Sequence, residues 1–218
     1  WVCHYDTGLL KDMSTEAVSR DEAELLDLQS VCERISKVPQ ASIAKLEGFA
    51  RGGGHELALA LDMRFAARGK FKFMQMEVGM GILPCGGGAS RMARQTGLGH
   101  ALEIILSARD FDADEAEAYG TINKALDPNV IGEYVDNLAK RIARFPAESI
   151  NACKQAVYES IDKPIDEALK AESYWLYQAT SKTPAIKRFT IADGKGLEHD
   201  IENQRNWNNL VMQVQDIH

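Results

Sequence analysis

The sequence predicts an α/β fold that continues into a helical C-terminal region. Three observations predict it. Short apolar strand-like runs alternate with helix-period runs through the first 128 residues. Glycine-rich connections at 52–54 and 79–88 punctuate that alternation. After Pro128 one helical pattern follows another, with Pro146, Pro164 and Pro184 at the starts, which suits proline in a first helical turn. The expected division is an α/β part at 1–128 and a helical part at 129–218.

The elements follow in order. Residues 1–10 show little periodicity. Residues 14–38 have helical character, with Ser14 or Thr15 as cap and Leu25, Leu26, Leu28, Val31, Cys32 and Ile35 as the apolar stripe. Pro39 closes that helix. Residues 41–47 alternate between Pro39 and Gly48 and read as a strand. A glycine turn comes next, then a buried helix over 57–63 carrying Leu57, Ala58, Ala60 and Leu61. Short strands are expected at 64–67, 71–73 and 122–125. The stretch 79–88 holds Pro84 and reads as a loop, after which Ser90 is expected to cap a helix. Further helices are expected at 100–107 and at 112–119, the latter ended by Gly120. In the helical part they fall at 130–145, 147–161, 165–180 and 184–192. Tyr174, Trp175, Leu176 and Tyr177 form an aromatic cluster that reads as core packing, with a subunit or swapped-helix contact as the alternative.

Composition narrows the function classes. The chain has 218 residues, 45% of them hydrophobic, enough for one substantial core. A net charge of −7 argues against broad nucleic-acid binding. Cys3, Cys32, Cys85 and Cys153 are scattered, with no paired spacing, and read as free thiols in a reducing compartment rather than as disulfides or a zinc site. No apolar run is long enough to span a membrane, and neither a secretory signal nor a Ser-Lys-Leu type C-terminus is visible. The expectation is a cytoplasmic protein.

Chemistry concentrates in two segments. Gly52-Gly53-Gly54-His55-Glu56 reads as a turn that opens a helix. Its plain reading is a tight strand-to-helix connection. Its functional reading is an oxyanion site, because the first amides of a helix have no intrahelical partner and glycine lets a carbonyl approach them. Glu56 is followed by Leu57, Ala58 and Leu59, and Glu77 lies among Phe73, Met74, Met76, Val78 and Met80. Either glutamate alone could be a surface acid. Buried, each would have a raised pKa and could move protons near neutral pH. Together they suit acid/base chemistry beside a carbonyl. The 79–88 loop lacks the lysine and hydroxyl of a Walker motif, and no dinucleotide-type glycine pattern follows a strand.

These residues carry a family resemblance. ASIAKLEGFARGGGHELALALDMRFAA and FKFMQMEVGMGILPCGGGASRM resemble the two catalytic segments of the crotonase superfamily, also called the enoyl-CoA hydratase/isomerase family. WVCHYDTGLL resembles its first oxyanion loop, and the likeness continues through ALEIILSARDFDADEAEAYGTINKAL into the late helices. The resemblance implies a spiral of ββα units with a C-terminal helical trimerisation region. It also implies several tens of residues before Trp1, so the N-terminal part of the spiral is expected to be missing. It implies an oxyanion hole from the backbone N–H groups of Cys3 and Gly53, and Glu56 and Glu77 as the catalytic pair. His4, Tyr5, Asp6, Gly52, Gly54, Pro84 and Cys85 would bind substrate, with the 5–10 loop near the adenine end of coenzyme A. The implied substrate is an acyl-CoA, with coenzyme A part of it and no separate cofactor or metal. The implied assembly is a homotrimer or hexamer.

Three positions depart from the family pattern. His4 and Cys85 stand where glycines are usual, and Met76 where proline is frequent. Cys85 also stands where dienoyl-CoA isomerases carry an acid, which counts against that activity. The leading expectation is hydration of a 2-enoyl-CoA to a 3-hydroxyacyl-CoA through an enolate. Isomerisation or carbon–carbon cleavage on the same intermediate is the runner-up. An inactive assembly protein of the same fold is the reading from another class.

Overall fold

The structure, a computed structural model, describes residues 1–6, 8, 11, 16–196 and 200–214. It forms two compact units, one within Trp1–Val38 and Ser42–Asp136, the other within Pro39–Ala41 and Asn137–His218.

The first unit contains helix α1 (Asp27–Ser36), strands β1 (Ile43–Leu46) and β2 (Phe49–Arg51), and helix α2 (Gly53–Leu59). Strands β3 (Met63–Ala67) and β4 (Lys72–Met74) follow, then a 3-10 turn at Glu77–Met80 and helices α3 (Ser90–Thr96) and α4 (Leu98–Ser107). Strand β5 (Phe111–Asp112), helix α5 (Ala113–Tyr119) and strand β6 (Lys124–Leu126) complete it. Strands β1, β3 and β6 make one parallel sheet. Strands β2, β4 and β5 make the other, β2–β4 parallel and β4–β5 antiparallel. The pairs β1–β2 and β3–β4 each send their first member to one sheet and their second to the other, and each pair is followed by a helix. This is a repeated ββα path.

Alanines let the layers approach closely. Ala44, Ala50, Ala58, Ala66 and Ala125 are fully buried, with Leu46, Phe73, Met92, Ile104 and Phe111 filling the space between them. Each fully buried phenylalanine contributes about 1.5–3 kcal/mol. Phe73 stacks on Phe111 at 5.2 Å between centroids, and the His55 ring stacks on Phe73 at 4.3 Å. His55 is wholly buried, and desolvation first, then the Arg64 cation, hold its pKa down at about 3. Arg64, on β3, donates through Nη1 to the Leu61 and Ala58 carbonyls and through Nε to the Thr121 carbonyl at 2.7 Å. It thereby places a cation at the C-terminal end of α2.

In the second unit helices α6 (Ile131–Ala143, which begins in the first unit), α7 (Ala147–Ser160), α8 (Ile165–Thr180) and α9 (Ala185–Gly194) are followed by short α10 (Ile201–Arg205) and α11 (Trp207–Leu210). Helices α7 and α8 pack together, with Trp175 Nε1 donating to Glu159 Oε1 at 3.1 Å. Among the described residues no helix is long and apolar enough to cross a membrane.

Several expectations need correction. The 14–38 helix begins only at Asp27, because Leu25 and Leu26 find no core to join and Gln29 Oε1 accepts from the Leu26 N–H at the true start. The caps expected at Ser14 and Thr15 lie outside the described residues. Ser90 is the first residue of α3 rather than its cap, since Ala89 already has helical backbone angles. The helix expected at 57–63 starts four residues earlier, at Gly53, and ends at Leu59, where the chain turns into β3. Strands β2 and β5 were too short to carry a periodic signal. Pro146, Pro164 and Pro184 stand just before their helices instead of in the first turn. Tyr174, Leu176 and Tyr177 are more than half exposed rather than core, while Trp175 is partly buried.

Two outcomes follow for stability. Arg64→Met leaves buried carbonyls without donors and is expected to cost roughly 2–4 kcal/mol in urea unfolding. Unfolded, His55 takes a proton near pH 6.5, whereas folded it does so only near 3. Its contribution is therefore complete above pH 6.5 and is lost as pH falls toward 3. Relative to a His55→Phe variant, the protein should lose on the order of 3 kcal/mol between pH 7 and pH 4, read from urea midpoints at both values.

Candidate active site

The site forms where β2 and β4 end side by side. Arg51 lies opposite Met74 in the parallel register, so the segments leaving the two strands begin as neighbours. The Gly52 N–H donates to the Met74 carbonyl at 2.8 Å, while the Gly52 carbonyl accepts from the His55 and Glu56 N–H groups at 2.9 and 3.0 Å. Gly52 holds φ 48°, a left-handed value that favours glycine, and a Cβ there would lie 2.5 Å from Glu77 Oε1. The glutamate of the second segment thus rests directly on the turn of the first.

The opening residues lie against the same turn. The Arg51 N–H donates to the Cys3 carbonyl at 2.6 Å, and Trp1 Nε1 donates to the Gly54 carbonyl at 2.9 Å. A Cβ on Gly54 would collide with the Val2 and Cys3 carbonyls, and one on Gly53 would lie 2.8 Å from Tyr5 Cβ. The Cys3–Tyr5 backbone is therefore packed on the first turn of α2. The Gly53 amide is among those that a helix leaves without an intrahelical partner.

Glu56 sits four residues after Gly52 on α2 and is 2% exposed. Its Oε1 accepts from the Gly86 N–H at 2.6 Å and the Gly88 N–H at 2.8 Å. Burial pushes its pKa up, and the two N–H donors oppose that shift. Glu77 opens the 3-10 turn and is half-buried, and its Oε2 is buried without a hydrogen-bond partner. Burial also raises its pKa, and the charge of Glu56 adds to the rise. The two carboxyls therefore form an interacting pair. Gly88 fits only without a side chain, since a Cβ would lie 2.6 Å from Pro84 Cβ and 2.8 Å from Glu56 Oε1.

Cys3, Tyr5, Gly52, Gly53, Gly54, Glu56, Glu77, Pro84 and Cys85 are thus gathered in one region. Cys85 is half-buried there, its thiol pushed up first by burial and then by Glu56 and Glu77. His4 and Asp6 are exposed and bond within their own loop, His4 Nδ1 to the Tyr5 carbonyl at 2.8 Å and Asp6 Oδ1 to the Gly8 N–H at 2.8 Å. Sequence reasoning missed Gly86 and Gly88 as the donors to Glu56. Their spacing of two in a glycine run was the available signal, because alternate amides can face one point. It also missed Leu28, whose Cδ2 lies 2.5 Å from where a Gly86 Cβ would stand. Among the described residues no cluster of three or more His, Cys, Asp or Glu side chains could hold a metal ion.

A region with two raised carboxyls, amides at a helix start and a glycine loop can stabilise an oxyanion and move protons beside it. The family model described as enoyl-CoA hydratase/isomerase matches residues 8–208. A short-chain-enoyl-CoA hydratase of Clostridium acetobutylicum is 36% identical over 143 residues, which cover 66% of this chain and 54% of that protein. A crotonyl-CoA hydratase of Syntrophomonas wolfei is 37% identical over 145 residues, covering 66% and 55%. The chain spans about half the length of the curated relatives it matches. The crystal structure of an enoyl-CoA hydratase from Bacillus anthracis superposes with a TM-score of 0.73 at 27% identity, covering 77% of this chain and 65% of that one. The repeated ββα path with its helical continuation is the crotonase fold, and the chain belongs to the enoyl-CoA hydratase/isomerase family.

Proposed function

We propose that this protein hydrates a 2-enoyl-CoA thioester to a 3-hydroxyacyl-CoA. The observation that carries the reading is the pairing of Glu56 and Glu77, both with raised pKa, beside the Gly52 turn. Coenzyme A enters as part of the substrate, and no separate cofactor takes part. The thioester oxygen accepts from the backbone N–H groups of Cys3 and Gly53, each worth on the order of 3–4 kcal/mol to the barrier. Glu56, whose carboxyl is oriented by two N–H donors, acts as the base that takes a proton from water as the water oxygen bonds to the β-carbon. The π electrons move to the thioester oxygen and form the enolate. Glu77, whose pKa burial and then the neighbouring charge raise, gives its proton to the α-carbon as the carbonyl reforms. A proton returns from Glu56 to Glu77 through solvent and restores the starting state.

The surroundings fit this reading. Gly52, Gly54, Pro84 and Cys85 wall the reacting end, while His4, Tyr5 and Asp6 face the coenzyme A portion. Exposed Tyr174, Leu176 and Tyr177 on α8 suit contacts in a homotrimer or hexamer. The four free thiols suit a reducing compartment such as the cytoplasm.

Mixing the protein with crotonyl-CoA should remove the conjugated-thioester absorbance, and the product should carry oxygen from labelled water. A shifted double bond without labelled oxygen would instead indicate isomerisation. Glu77→Gln is expected to lower turnover by roughly 10²–10⁴ while leaving acyl-CoA affinity, read by calorimetry, nearly unchanged. The acid limb of kcat/KM is expected above 4.5, the ordinary glutamate value, because burial raises the group that must ionise. A limb at or below that value would contradict the assignment of Glu56 as the base.

A further inference from the structure

We infer that His55 and Gln75 form a positioning pair whose buried contact fixes the loop that orients the Glu56 carboxylate. The inference rests on the role given to Glu56 above. His55 directly precedes Glu56 on α2, and Gln75 stands two residues before Glu77, just past β4. Both side chains are 0% exposed, and Gln75 Nε2 lies 3.2 Å from His55 Nδ1. The contact therefore ties together the two segments that carry the glutamates.

Neither partner is free to drift. The His55 ring is stacked on Phe73, itself stacked on Phe111. Gln75 Nε2 lies 2.9 Å from the point where a Gly88 Cβ would stand. Gly88 is also the residue whose N–H holds Glu56 Oε1 at 2.8 Å. Gln75 is thus a floor under one of the two donors that aim the carboxylate.

Stability does not account for the pair. His55 Nε2 and Gln75 Oε1 are both buried without a hydrogen-bond partner. A group left in that state is unfavourable, and an apolar pair of the same shape would fill the space without it. With the amide nitrogen donating to Nδ1, the imidazole proton sits on Nε2, so one orphan is a donor and the other an acceptor. A polar pair that leaves two buried atoms unpartnered yet spans both glutamate-bearing segments is explained by where it holds Gly88. The pair acts through that glycine rather than on substrate.

The test uses Gln75→Met and His55→Phe, singly and together. His55→Phe keeps a ring on Phe73 and removes only the nitrogens. Hydrogen exchange at the Gly88 amide, read against the Phe65 and Ala66 amides of β3, gives a readout that needs no activity. Folded variants should show Gly88 exchange faster by about ten-fold with β3 unchanged. Their kcat should fall by about ten-fold or more with KM within about two-fold, since misplacement of a catalytic group acts on the chemical step. The double variant should be no worse than the poorer single one, because both act through one contact. Unchanged Gly88 exchange in a folded variant would overturn the inference, as would an unchanged kcat where the parent protein turns over. Failure of both single variants to fold would also overturn it, since a purely structural role would then suffice. A parent protein with no hydratase turnover would sink the functional reading alone, while Gly88 exchange would still decide the role of the pair.

Discussion

A carboxylate that is 2% exposed must be hydrogen-bonded, and Glu56 meets that demand with the amides of Gly86 and Gly88. The rest of the site follows from this requirement. Two amides can converge on one oxygen only if the loop comes close to α2. That closeness excludes a side chain at Gly88, where Pro84, Glu56 and Gln75 already crowd the Cβ position. The loop's glycine content is therefore a consequence of burying the acid. The same burial lifts the Glu56 pKa, and burial first, then the charge of Glu56, lifts that of Glu77.

The fold makes this geometry possible through strand order. The two ββα repeats place their second strands side by side, so β2 and β4 end together with Arg51 opposite Met74. Gly52 and Glu77 then meet although they are far apart in sequence. A ligand site at the carboxyl ends of neighbouring parallel strands is a recurrent result of α/β topology. Arg64 reinforces it from below by holding the carbonyls at the far end of α2.

Much of this was legible in the residues. The glycine turn, both glutamates and strands near β1, β3 and β4 could be read because glycine punctuation and apolar runs are local signals. What escaped depends on partners distant in the chain. The donors to Glu56 are backbone amides, and the glycine spacing at 86 and 88 does not by itself say which carboxylate they face. The His55–Gln75 contact joins two positions that only the β2–β4 register brings together. Leu25 and Leu26 continue the apolar stripe of α1 in the sequence, yet both are exposed and the helix starts after them. The aromatic run at 174–177 reads as core, yet Tyr174, Leu176 and Tyr177 are exposed: composition does not say which face finds a neighbour.

The proposed reaction requires that the amides of Cys3 and Gly53 share one carbonyl oxygen. Infrared difference spectroscopy of a bound thioester with a ¹³C-labelled carbonyl tests it most directly. Two converging N–H donors should polarise the bond and move its stretch to lower wavenumber than in water, and a backbone ester in place of the Gly53 amide, which removes one N–H without adding a Cβ, should reverse much of that shift. A bound thioester whose stretch matches the aqueous value, or is unaffected by that ester, would contradict the account.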